Sequence, residues 1–192
     1  MILCIYCGTG SGVDPAYLEA AKATATLFAQ EGIEIVYGGA IVGLMGAVAD
    51  AALAAGGKVI GVMPQALIER EIAHTGLTEM HVTQGMHERK ALMEQLSDGF
   101  IALPGGPGTL EEIAEQWTWA LLGLHAKPCG FLNVKGYYDP LEAMTRRMVA
   151  EGFLQKSYAD MLTFTDDPAE LLARFRAYAP PPPKWARQPA PA

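Results

Sequence analysis

Ile2-Leu3-Cys4-Ile5-Tyr6, then Gly8-Thr9-Gly10-Ser11-Gly12, then Asp14-Pro15 at the head of a helical pattern running to about Gln30, and finally Glu34-Ile35-Val36-Tyr37 beyond Gly32: this opening stretch decides the fold. The first and last runs are short, apolar and rich in β-branched residues, which suits buried strands. Asp14 is placed to cap the helix between them. Pro15 suits its first position, where no backbone N–H is needed, and Gly32 stops it. A strand, a helix and a second strand in that order form a parallel pair joined by a right-handed crossover.

The same rhythm continues outward. A small-residue helix is expected from about Leu44 to Ala55, a strand over Lys58–Met63 broken by Pro64, and a short strand over Glu79–Val82. Met86–Leu96 reads as a helix, Gly99–Leu103 as a strand, and Pro104–Gly108 as a loop before a long helix over Thr109–Leu122. Cys129–Asn133 is a sixth strand and Pro140–Glu151 a helix. A last strand near Leu162–Phe164 leads into a helix around Pro168–Tyr178. Such alternation predicts an α/β fold with a doubly wound, Rossmann-like, mostly parallel sheet between two helix layers. Residues 1–179 are expected to form one domain, with the proline-rich segment 180–192 a flexible tail.

Composition narrows the partners. The 192 residues are 51% hydrophobic and carry a net charge of −7, with a pI near 5.1. That suits one well-cored domain and disfavours broad binding to nucleic acid or to an anionic membrane. No apolar run approaches the roughly 18 residues of a membrane span, and the opening residues read as a strand rather than a secretory leader. The cytoplasm is the expected location. Cys4, Cys7 and Cys129 make no disulfide framework. Cys4 and Cys7 lie in and just after a strand, not at the helix N-terminus that a redox pair needs, and Cys129 stands alone as a zinc ligand. All three are expected to be small buried residues, and no metal or cofactor is expected.

The glycine-rich loops all follow strands, so they gather on one edge of the sheet, where such folds hold ligands. The first, Gly8 to Gly12, could present amides to a phosphate or be a plain turn, because its glycine spacing is not that of a dinucleotide fingerprint. The second, Gly38-Gly39-Ala40 with Gly43 and Gly46, suits close ligand approach and tight helix packing equally, and lacks the Lys-Ser/Thr of a P-loop.

The third loop is the most informative: Leu103-Pro104-Gly105-Gly106-Pro107-Gly108-Thr109-Leu110-Glu111-Glu112. Thr109 and Glu112 have the spacing of a capping box. The glycines ahead of them instead suit a phosphate seat at a helix N-terminus, whose dipole would keep Glu112 ionised. A carboxylate beside a sugar phosphate suits cleavage of an N-glycosidic bond, which develops positive charge on the sugar. Upstream, Met86-His87-Glu88-Arg89-Lys90 lacks the second histidine of a zinc-protease helix. Its Arg89 and Lys90 could serve the same sheet edge or sit on a solvated helix face. Glu111 and Glu115, one turn apart, could repel each other or help hold a ribose hydroxyl. His74, His81 and His125 fall in no ligand spacing. The Trp117–Trp119 and Met144–Met148 stretches read as packing, in the core or against another subunit.

Together, Met86-His87-x-Arg89-Lys90 and Pro104-Gly105-Gly106-x-Gly108-Thr109-x-x-Glu112 resemble the paired motifs of the Lonely Guy (LOG) family. These are cytokinin riboside 5′-monophosphate phosphoribohydrolases, often labelled lysine decarboxylase-like. The likeness extends through Tyr37-Gly38-Gly39, Gly43-Leu44-Met45-Gly46, Trp117-Thr118-Trp119 and Gly136-Tyr137-Tyr138-Asp139-Pro140, to about residue 175. It implies a homodimer that hydrolyses an N6-modified adenosine monophosphate to free base and ribose 5-phosphate, without a cofactor. Arg89 and Glu112 then correspond to the family's catalytic pair. Substrate binding is expected at Gly8, Thr9 and Ser11, at Gly38, Gly39, Gly43 and Met45, at Met86 and Lys90, and at Gly105, Gly106, Gly108 and Thr109. Two departures stand out: Thr9-Gly10-Ser11 where members often carry serines, and Ala40 where a third glycine is common. The rival reading is a non-catalytic binder of nucleotide or molybdenum cofactor, as in carrier proteins of similar fold. A decarboxylase would need pyridoxal phosphate on a lysine, and only Lys90 is near the expected site.

Overall fold

The computed structural model describes residues 1–70 and 72–185. Its strands are β1 (Ile2–Tyr6), β2 (Glu34–Tyr37), β3 (Val59–Pro64), β4 (Glu79–Thr83), β5 (Gly99–Ala102), β6 (Cys129–Leu132) and β7 (Leu162–Thr165). They form one sheet in the order β4-β3-β2-β1-β5-β6-β7, and every pairing between them is parallel. The chain starts in the middle, winds outward to β4, then returns to β5 on the other side of β1. The order therefore reverses between β1 and β5, and the crevice above their carboxyl ends is the natural ligand site.

Helices cover both faces, which is why the strands are apolar throughout rather than alternating. Successive residues of β1 point to opposite faces. Leu3 and Ile5 pack with Phe28, Val48, Leu171 and Phe175, contributed by α1 (Pro15–Gln30), α2 (Gly43–Ala54) and α8 (Pro168–Arg176). Cys4 and Tyr6 pack instead with Met93, Ile113 and Leu141 from α4 (Met86–Leu96), α5 (Pro107–Leu122) and α6 (Asp139–Ala150). All three cysteines are buried; burial pushes the Cys4 thiol up to about 12 and holds Cys7 and Cys129 well above the usual thiol range.

Helix starts follow local chemistry. Asp14 accepts from Ala16 N at 2.9 Å ahead of Pro15, and Asp167 accepts from Ala169 N at 2.8 Å ahead of Pro168, so α1 and α8 begin with the same device. Helix α5 begins differently. Its N-cap is Gly106, without a side-chain cap, and Pro107 holds the first helical position. The helix therefore starts two residues before the expected Thr109, and the capping box that the Thr109–Glu112 spacing also allows is not formed. Two short helices, α3 (Gln65–Ile68) and α7 (Lys156–Ala159), and a 3-10 turn over Val134–Gly136 carried no sequence signal long enough to read. Of the expected tail, Pro182 O accepts from Tyr158 Oη at 3.3 Å and Lys184 N donates to Leu121 O at 3.1 Å; residues 186–192 lie outside the described residues. No described helix is long and apolar enough to cross a membrane.

Candidate functional site

The loops after β1, β2 and β5 meet above the switch in strand order. Gly8 N donates to Pro104 O and Leu44 N donates to Gly8 O, each at 3.1 Å. The contacts are too close for side chains: a Cβ on Gly43 would lie 2.2 Å from Thr9 O, and one on Gly105 2.9 Å from Gly8 N. Two adjoining cavities open here. The larger, about 390 Å³, is bounded by Tyr6, Gly8, Thr9, Gly38, Met45, Met86, Arg89, Gly106, Gly108, Thr109 and Glu112, with Met63, Leu67 and Ile72 on its apolar side. The smaller, about 340 Å³, lies between the Gly8–Gly12 loop and Pro104–Gly106, with Tyr17 and Tyr137 beside it. Gly8, Thr9 and Gly106 border both.

Arg89 and Glu112 form the charged floor of the larger cavity. Arg89 Nη1 donates to Glu112 Oε1 at 2.6 Å, and its Nε donates to Val62 O in β3 at 2.9 Å. The guanidinium is thus fixed at two edges, which the planar fork of arginine permits and a lysine could not copy. Gly38 makes room for it, since a Cβ there would lie 2.2 Å from Arg89 Nη2 and 2.5 Å from Met45 Cε. Burial raises the Glu112 pKa above the ordinary carboxylate value, and the charge and hydrogen bond of Arg89 pull it part of the way back. The helix dipole is not what keeps this group ionised, as the sequence had suggested. With Pro107 at the first helical position, Glu112 lies beyond the first turn, where the dipole has faded. Arg89 supplies the opposing charge instead.

The Leu103–Gly106 segment has an unusual distribution of polar groups. Its four carbonyls all accept: Leu103 O from Tyr138 Oη at 2.7 Å, Pro104 O from Gly8 N at 3.1 Å, Gly105 O from Tyr137 Oη at 2.6 Å, and Gly106 O from Leu110 N at 3.3 Å. By contrast, the N–H groups of Gly105, Gly106, Gly108 and Thr109 have no acceptor among the described residues. Pro107 has no N–H at all. Occupied acceptors with free donors at a helix N-terminus make a seat for an anion.

The expected site residues divide accordingly. Gly8, Thr9, Gly38, Met45, Met86, Arg89, Gly106, Gly108, Thr109 and Glu112 border the larger cavity. Ser11 and Gly105 border the smaller. Gly39, Gly43 and Lys90 border neither. Gly39, with φ of +81°, has a Cβ position 3.2 Å from Met80 Cε, so that position serves packing. Lys90 turns away from the cavities and donates to Glu111 Oε1 at 2.5 Å and Glu115 Oε1 at 3.0 Å. These two carboxylates grip a lysine rather than repel or wait for a ribose. Ala40 borders the larger cavity but has no positive φ, so glycine is not required there. His74 and His81 pair with Asp50 and Glu79, and His125 lies against Phe100, all away from the cavities. Trp117 donates from Nε1 to Tyr158 O at 2.9 Å, which makes it an internal packing residue. Leu67 and Ile72 were missed because the segment after Pro64 shows no periodicity; the Ala40–Ala73 bridge brings it back over the cavity.

A family model described as "Possible lysine decarboxylase" matches residues 45–175. The curated cytokinin riboside 5′-monophosphate phosphoribohydrolase LOG of Oryza sativa subsp. japonica is 43% identical over 178 residues, 93% of this chain and 74% of the relative. The LOG7 protein of Arabidopsis thaliana, of the same description, is also 43% identical, over 93% of this chain and 82% of its own. Among solved structures, the molybdenum cofactor carrier protein of Chlamydomonas reinhardtii superposes with a TM-score of 0.70 at 22% identity, over 92% of this chain and 96% of that one. A molybdenum cofactor binding protein from Rippkaea orientalis does so at 0.69 and 21%, over 92% and 95%. At that identity the likeness speaks for the fold alone, whereas the sequence relatives align over 93% of this chain. The chain belongs to the LOG family of cytokinin riboside 5′-monophosphate phosphoribohydrolases.

Proposed function

We propose that the protein hydrolyses the N-glycosidic bond of adenosine 5′-monophosphates, N6-prenylated ones such as isopentenyl-AMP among them, to free base and ribose 5-phosphate. The observation that carries this is one crevice holding both an anion seat at the start of α5, the free amides of Gly105, Gly106, Gly108 and Thr109, and, further along the same helix, the largely covered carboxylate of Glu112. The amides and the α5 dipole hold the 5′-phosphate. The ribose then spans toward Glu112, which faces the anomeric carbon. As the bond from C1′ to the base nitrogen breaks, its electron pair leaves with the base and positive charge grows on the sugar. Glu112 stabilises that charge and orients the water that adds at C1′. The water's proton ends on the departing base. Arg89 fixes the carboxylate and keeps it ionised. Met45, Met63, Leu67, Ile72 and Met86 give the base and its N6 substituent an apolar wall.

The residues do not fit the chemistry in the family model's description. Pyridoxal phosphate needs a lysine for its Schiff base, and among the described residues no lysine borders the larger cavity. Lys90 is bound to two carboxylates. A homodimer belongs to this reading too, supported by the exposed Leu110 and Met144 near an apolar groove along α5 and α6; light scattering would give its mass. Incubation with isopentenyl-AMP or AMP tests the activity. Free base and ribose 5-phosphate should appear in equal amounts. Tight retention of intact nucleotide without release would replace this reading with the carrier one.

A further inference from the structure

The anion seat depends on a peptide group that its own loop does not hold in place. Between Pro104 and Pro107 the loop is Gly105-Gly106, two residues whose backbone can turn almost freely. Because a trans peptide is planar, its C=O and N–H point in opposite directions. Whatever holds one carbonyl therefore aims the next N–H. The Pro104 carbonyl is held by Gly8 N at 3.1 Å, which aims the Gly105 N–H. Among the described residues, the Gly105 carbonyl is held only by Tyr137 Oη, at 2.6 Å. Without that bond the Gly105–Gly106 peptide is free to rotate. It would then point a carbonyl oxygen at a bound phosphate where an N–H is needed.

Tyr137 is itself anchored independently of the loop. Its ring meets Tyr17 edge-on at 5.8 Å and Tyr138 at 5.0 Å. The turn carrying it is braced by Asn133, whose Nδ2 donates to Asp139 Oδ1 at 2.7 Å and whose Oδ1 accepts from Tyr138 N at 2.6 Å. An ion pair between Lys135 and Asp14 ties the same turn to the start of α1. The hydroxyl therefore comes from a rigid mount on the far side of the smaller cavity.

We propose that Tyr137 is a positioning residue for phosphate recognition: its hydroxyl latches the Gly105 carbonyl outward and so holds the Gly106 N–H toward the 5′-phosphate. This rests on the reading of the 105–109 loop as the phosphate seat. Tyr137→Phe keeps both ring contacts and removes only the latch. Its affinity for ribose 5-phosphate, by calorimetry, should fall about 5- to 20-fold, the range for one hydrogen bond that orders a charged contact. Binding of adenosine, which has no phosphate, should change less than twofold, and the thermal midpoint should hold. In turnover of isopentenyl-AMP, the loss should lie in KM and not in kcat. Unchanged affinity for ribose 5-phosphate overturns the proposal. So does an equal loss for adenosine, which would mean general loosening, and so does failure of the wild-type protein to bind ribose 5-phosphate. Calorimetry needs no catalysis, so a protein that binds ribose 5-phosphate through this latch yet releases no base would refute the hydrolase and leave the latch standing.

Discussion

Two ion-paired groups lie side by side between α4 and α5, centred on the consecutive cations Arg89 and Lys90. Arg89 meets Glu112, and Lys90 meets Glu111 with Glu115. Arg89 and Lys90 are about equally buried, with side chains 8% and 7% exposed. Their carboxylates differ. Glu112 is 12% exposed and faces the larger cavity, whereas Glu111 is 54% exposed and borders neither of the two site cavities. Successive helix residues point about 100° apart, so one step along each helix separates a pair that lines the cavity from a pair that joins helices. A charge pair becomes reactive through what it faces, not through its strength. The Lys90 pair ties α4 to α5, while Arg89 keeps a separate anchor on Val62 O.

The contrast is broken most sharply at Glu112. Glu112→Gln keeps an oxygen for Arg89 Nη1 and should leave the fold intact. It removes the charge that answers the cationic sugar, so kcat should fall on the order of 10³-fold. Base release from isopentenyl-AMP measures this, and near-wild-type turnover would end the assignment. Next comes pH. The folded Glu112 pKa is raised, and the ionised form is the active one. Activity should therefore be full above that raised value and fall about tenfold per pH unit below it. The acid limb of kcat should lie above the ordinary glutamate value of about 4.3. Smaller again is Gly38→Ala, whose methyl would lie 2.2 Å from Arg89 Nη2. It should push the guanidinium off Glu112 and lower kcat about tenfold, with little change for the Lys90 pair beneath.

The sheet was legible because both its faces are covered, and a strand covered on both faces is a bare apolar run such as Ile2–Tyr6 or Val59–Met63. Caps were legible where a side chain makes them, as at Asp14 and Asp167. At α5 the cap is glycine backbone, and Thr-x-x-Glu imitated a signal that was not used. Arg89 and Glu112 could be paired by family resemblance but not by spacing, since they lie on different helices. The destination of Lys90 was hidden for the same reason: Arg89 and Lys90 are adjacent in sequence, and only the helix phase tells which one faces the cavity. Tyr137 stood in plain view within a motif. Its role depends on where a backbone carbonyl points, and no side-chain pattern records that.

The mildest test in rate is Lys90→Met, and it asks whether the second pair is structural. Met fills the space of the lysine stem without its charge. Glu111, half in water, would simply hydrate. Glu115 would not, because its Oε2 is already buried without a partner among the described residues and its Oε1 would lose the ammonium. A carboxylate three-quarters covered and stripped of its cation is the costly product, so denaturant unfolding should show a loss of about 1–3 kcal/mol. Adding Glu115→Gln removes the stranded charge and should restore roughly half of that loss, a coupling that the double-mutant cycle reads directly. Turnover per folded molecule should stay within about threefold, since Arg89 keeps its own anchor on Val62 O. A collapse in kcat as deep as that of Glu112→Gln, in a protein that remains folded, would place Lys90 in the chemistry and erase the distinction between the two pairs.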